Sequence, residues 1–121
     1  MQEQELIRKL ASVLSDKKAQ NIVALDVRGL TVICDYMVIA SGRNANQVKA
    51  MADEVDDLMA KEGMTLRRSE GLNEGRWIVL DYATVLVHIF HQDERSYYNL
   101  ERLWDDGKNR ITLNLEEEDP A

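Results

Sequence analysis

Arg76-Trp77-Ile78-Val79-Leu80-Asp81-Tyr82, followed after Ala83 by Thr84-Val85-Leu86-Val87-His88-Ile89-Phe90, is the stretch on which the reading of this chain turns. Both runs have strand length and are rich in β-branched and aromatic residues. They read as adjacent strands in the middle of a sheet, joined by a tight turn at Tyr82-Ala83. Side chains alternate across a sheet, so Trp77, Val79 and Asp81 share one face, and Ile78 and Leu80 the other. One face is apolar, whereas the other carries an indole and a carboxylate. Helices laid over that second face would bury the Asp81 charge at high cost. An exposed or partner-covered face is the expectation.

Working outward, residues 64–69 read as a further strand with Arg67 and Arg68 at its solvated end. Gly71-Leu72-Asn73-Glu74-Gly75 is a flexible loop into the Trp77 strand. Residues 36–40, apolar throughout, predict a strand buried on both faces. The following helix is well marked: Asn44 caps it, Gln47 completes a capping box, Val48, Met51, Ala52, Val55, Leu58 and Met59 form its stripe, and Gly63 ends it. Residues 4–15 place Leu6, Ile7, Leu10, Val13 and Leu14 at helical spacing. Residues 22–27 are the first strand, ended at Arg28-Gly29, and 30–34 are either a strand fragment or a turn packed on the core. After Phe90, His91-Gln92-Asp93-Glu94 opens a last helix on which Tyr97, Leu100, Leu103 and Trp104 share a face and which Gly107 stops. Residues 111–115 alternate like an edge strand or an extended tail. The expectation is a single α/β domain over 1–115, one mixed sheet of about five strands with flanking helices. An acidic, disordered tail is expected at 116–121.

The chain has 121 residues, enough for one independent core. Its 22 acidic and 15 basic side chains give a formal charge of −7, which argues against gripping phosphate backbones and suits a basic protein partner. Little direct nucleic-acid contact is expected. Cys34, the single cysteine, has no internal disulfide partner and reads as a small core residue. The polar start, Met1-Gln2-Glu3-Gln4-Glu5, does not resemble a secretory signal or transit peptide. No apolar run approaches the roughly 20 residues that span a bilayer. A cytoplasmic protein with no membrane association is the expectation.

Candidates for chemistry are few. Ser41-Gly42, between a strand and a helix, resembles the Gly-Ser entrance of nucleotidyltransferases with the order reversed. Those enzymes need carboxylates converging on a metal. Here Asp53 and Glu54 are adjacent on a helix and diverge by about 100°, so the metal site is missing. His88 and His91 fall on opposite faces of one strand and cannot share a metal. His88 shares its face with Leu86 and Phe90 and reads as a half-buried histidine satisfied by an acid or a carbonyl. No serine or cysteine stands beside a histidine as a nucleophile would. No catalytic residue, metal or cofactor is expected, and aromatics beside a carboxylate suit an interaction surface.

Asp35-Tyr36-Met37-Val38-Ile39-Ala40-Ser41-Gly42, Glu70-Gly71, Trp77-Ile78-Val79-Leu80-Asp81-Tyr82, His88-Ile89-Phe90, and the run from Arg95 through Tyr97, Tyr98, Leu100, Glu101 and Leu103 to Trp104 resemble the ribosomal silencing factor family, also called the Iojap family. The resemblance extends from Leu6 to Trp104, and several motifs in one order make it specific. It implies a nucleotidyltransferase-like fold without catalysis. It also implies binding to the large ribosomal subunit through ribosomal protein uL14, a block on subunit joining, and repression of translation when growth stops or nutrients are short. Carried over by position, it implies a contact surface of Trp77, Ile78, Asp81 and Tyr82, with Val85, Val87 and His88 on the adjoining strand. One departure is Ala83-Thr84, where relatives often carry Gly-Asp. Large-subunit assembly or maturation is the alternative function, followed by nucleotide binding. An exposed apolar sheet face leaves a homodimer of the free protein open.

Overall fold

The computed structural model describes residues 3–113 and Leu115. Helix α1 (Glu3–Asp16) buries Leu6, Ile7, Leu10, Ala11 and Leu14, the stripe that its spacing predicts. Helix α2 (Ala45–Lys61) starts where Asn44 Oδ1 accepts the Gln47 N–H at 2.8 Å. The return bond of the expected capping box goes one residue further back, from the Arg43 N–H to Gln47 Oε1.

The strands are β1 (Gln20–Asp26), β2 (Tyr36–Gly42), β3 (Arg68–Glu70), β4 (Trp77–Asp81) and β5 (Val85–His91). They form one sheet in the order β1-β2-β5-β4-β3. Only β2 and β5 pair in parallel, so the sheet is mixed, as expected. All seven residues of β2 are buried, which explains its unbroken apolar sequence. Helices α1 and α2 pack on one face, where Ile78 and Leu80 of β4 and Val85, Val87 and Ile89 of β5 join their stripes in the main core. The other face carries a smaller cluster of Val23, Leu25, Met37, Ile39 and Phe90, onto which Leu100 and Trp104 fold.

Several boundaries differ from the sequence reading. Strand β3 keeps only three residues, because a strand exists only where it finds a partner and the ladder with β4 begins at Arg68↔Asp81. Residues 64–67 are not a strand. The last helix is two: α3 (Gln92–Tyr98) ends at Asn99, which adopts φ 48°, and α4 (Glu101–Trp104) follows. The break separates Tyr97 from the rest, and within α4 Leu103 stays exposed while Leu100 and Trp104 pack on the sheet, so the four do not share a face. Segment 30–34 is a connector: Cys34 is buried, while Leu30, Val32 and Ile33 are exposed. The expected edge strand at 111–115 reduces, among the described residues, to a bridge of Arg110 with Leu25 and an Ile111 N–H to Ala24 carbonyl bond. The expected acidic tail at 116–121 lies outside the described residues.

Candidate functional site

The strand registers lay out the second sheet face in rows. Arg68, Asp81, Leu86 and Met37 stand side by side across four strands; Glu70, Val79, His88 and Ile39 form the next row; Trp77 and Phe90 the third. Toward β1 and β2 this face is covered by Leu100 and Trp104. Toward β4 it is open: Trp77, Val79, Asp81 and Leu86 remain half-buried.

Aromatic geometry fixes the indole. Trp77 stacks on Phe90 at 4.9 Å between centroids and 25° between planes, and Tyr98 of α3 lies 4.7 Å away. Its Nε1–H donates to His88 Nδ1 at 3.1 Å. His88 is therefore neutral, with its proton on Nε2. Burial pushes its pKa down to about 4, since a desolvated imidazolium is unfavourable. The expected acid or carbonyl partner is absent; an indole N–H takes its place, and Nε2 has no partner among the described residues.

Asp81 closes the turn. Its Oδ1 accepts the Ala83 N–H at 2.8 Å, while Thr84 N–H bonds the Tyr82 carbonyl at 2.8 Å. This geometry holds Ala83 at φ 73°, a left-handed conformation that glycine adopts without penalty and alanine does not. Behind Trp77 sits Gly71 at φ 80°, where an added Cβ would stand 2.0 Å from the Trp77 carbonyl oxygen. The Glu70-Gly71 motif thus has a steric reason: only glycine lets the loop pass the start of β4.

The seven residues proposed for contact do not form one surface. Trp77 and Asp81 lie on the open face, with His88 on the same face but buried behind the indole. Ile78, Val85 and Val87 point the other way into the helix-covered core, at most 1 % exposed. Tyr82 is also in that core, and its hydroxyl donates to Asp56 Oδ1 at 2.7 Å; burial and that carboxylate push its pKa well up. These four are corrected from contact residues to supports. The family motif is contiguous in sequence, but strand alternation sends its members to opposite faces. Val79, Leu86 and Tyr98 also stand on or over the open face. Strand alternation places the first two, whereas Tyr98 is brought to the indole by α3, which leaves β5 directly at Gln92.

At the Ser41-Gly42 entrance the chain is packed. Ser41 Oγ donates to the Gln20 carbonyl at 3.0 Å, and the buried Arg95 guanidinium, paired with Glu101 at 2.9 Å, lies 3.4 Å away. A Cβ on Gly42 would meet Gln47, Val48 and Met51 at 3.1–3.2 Å, so this glycine serves the approach of α2. Glu54 stands 3.7 Å from Lys17 and Asp53 is exposed. Among the described residues no group of three or more His, Cys, Asp or Glu is placed to hold a metal ion. No helix among them is long and apolar enough to cross a membrane.

Fold and site together define an α/β protein built on one mixed sheet, whose distinctive feature is an open aromatic and acidic half-face. A family profile described as "Ribosomal silencing factor during starvation" matches residues 1–121. Ribosomal silencing factors of Halalkalibacterium halodurans and Bacillus subtilis are each 42% identical over 107 residues, covering 88% of this chain and 92% and 91% of theirs. A crystal structure of a Chromobacterium violaceum protein superposes with a TM-score of 0.83 at 32% identity, covering 96% of this chain and 95% of that one. One from Bacillus halodurans gives 0.79 at 38%, covering 92% and 100%. The chain belongs to the ribosomal silencing factor family, and its context is therefore regulation of translation at the ribosome.

Proposed function

We propose that this protein binds the large ribosomal subunit through ribosomal protein uL14 and blocks joining of the small subunit in the cytoplasm, without catalysis. The observation that carries this reading is the open half-face. Trp77 is held at a fixed angle by Phe90, Tyr98 and the His88 bond, with Asp81 further along the same strand face. A rigid aromatic with a carboxylate two rows along the same face suits a binding hot spot, because little freedom of the indole remains to be lost on docking. The proposed contacts are Trp77 and Asp81, with His88 as the positioning residue. Ile78, Tyr82, Val85 and Val87 pack behind that face in the helix-covered core.

Asp81 meets a lysine or arginine of the partner, and the acidic body steers the encounter toward a basic protein while disfavouring attachment to RNA. The bound domain then occupies space needed by the small subunit. The test is sedimentation with separated subunits and salt-washed ribosomes, for wild type and Trp77→Ala. Expected are comigration with large subunits alone, blocked reassociation, and a loss of about 1–2 kcal/mol in the variant. Comigration without blocked reassociation would instead favour a role in subunit assembly. Absence of binding to large subunits would end this reading.

A further inference from the structure

The loop from Val27 to Asp35 is ordered at its base and apolar at its tip. Val27 N–H bonds the Asp35 carbonyl at 2.9 Å, Leu30 and Thr31 N–H groups return to the Val27 carbonyl, and Ile33 N–H bonds Thr31 Oγ1 at 3.1 Å. Cys34 anchors the loop in the cluster on the open-face side of the sheet. Yet Val32 is fully exposed, Ile33 is 69 % exposed and Leu30 46 %. The fold gains nothing from holding three apolar side chains in water, and such patches commonly mark interaction sites.

Its position is informative. Asp35 N–H bonds the Thr84 carbonyl at 2.8 Å, which ties the loop to the β4–β5 turn beside Asp81. In the adjoining row Met37, Leu86 and Asp81 stand side by side. Asp35 and Asp81 both lie close enough to Cys34 for their charges to add to burial in raising its thiol pKa to about 11. Neither carboxylate is in an ion pair among the described residues. An apolar tip thus stands next to two unneutralised acids, at the end of the open face remote from Trp77.

We propose that Val32 and Ile33 form a second anchor of the docking surface, inserting against apolar side chains of the same basic ribosomal protein while Asp35 and Asp81 receive its lysine or arginine. This rests on the docking reading above. It extends the contact from the strand face to the loop and gives it two apolar ends with the charge pairing between the loop tip and Trp77. Preorganisation by the backbone bonds makes the tip effective, since the loop is already ordered before binding and loses little freedom on docking.

The experiment measures binding of the full chain to purified large subunits for wild type, Val32→Ser, and the double variant Val32→Ser with Ile33→Ser. Thermal melting and the sedimentation coefficient of the free protein are measured alongside. Expected are a roughly threefold weakening for the single change, about tenfold for the double, and melting within about 2 °C of wild type, as for surface substitutions. Wild-type binding matched by the double variant would overturn the second anchor and leave the docking reading intact. Failure of wild type itself to bind would remove both. Unchanged subunit binding, with a free dimer that the double variant converts to monomer, would assign the tip to a second copy of this chain and overturn the proposed partner.

Discussion

The two faces of strand β4 are built by different means. On the helix side Ile78 and Leu80 are sealed by α2 and the rest of the main core, and burial alone holds them. On the open side Trp77, Val79 and Asp81 stay half-buried, and direction comes from specific contacts: the indole stack, the Trp77–His88 bond and the Asp81–Ala83 turn bond. The difference teaches that one strand can divide its work by residue parity, with alternate positions supplying stability and the others a shaped surface.

The most forceful way to break this comparison is Ile78→Ala. Removing a fully buried side chain is expected to cost about 2–5 kcal/mol of stability, read by denaturant unfolding, while the folded fraction still binds large subunits. If the folded variant lost affinity as Trp77→Ala is expected to, the two faces would not be separable.

Next in size is the pH response of His88. Its ordinary value of 6.5 falls to about 4 in the folded protein. Between those values the unfolded chain holds a proton that the folded chain does not, so acidification pulls toward unfolding. Stability present above pH 6.5 is expected to drain by about 3 kcal/mol as pH falls toward 4. His88→Gln retains an acceptor for the indole and should lose that part of the dependence. Parallel pH curves for the two proteins would show that His88 is not held neutral by burial.

Smaller effects sharpen the turn at the end of the open face. Ala83→Gly relieves the left-handed φ of 73° and should add about 0.5–1 kcal/mol, seen as a higher melting temperature; a lower one would mean that the turn is not strained. Asp81→Asn keeps the oxygen that accepts from Ala83 but removes the charge. The expected result is a shallower salt dependence of subunit binding and a loss of at most about 1 kcal/mol, because half-exposed charge pairs are screened. An unchanged salt slope would remove Asp81 from the charge pairing.

Much of this was legible in the residues. The alternation across 77–81 separates the two faces, and the apolar run 36–40 predicts a fully buried strand. The resemblance motifs were misleading on one point. They place Ile78 and Tyr82 beside Trp77 because they are neighbours in sequence, whereas the period of two turns Ile78 inward and the tight turn carries Tyr82 into the core.

The sequence by itself determined the family, the strand and helix succession and the parity of β4, because these depend on local spacing and on side chains a few positions apart. Tertiary structure alone decided what is exposed. Whether a strand face is covered depends on where α3 and α4 come to rest, which follows from a bend at Asn99 and the pairing of buried Arg95 with half-buried Glu101. Three-residue β3, the indole partner of His88 and the loop beside Asp81 likewise arise from pairings between distant segments. Such contacts are selected by the assembled sheet, and no local pattern encodes them.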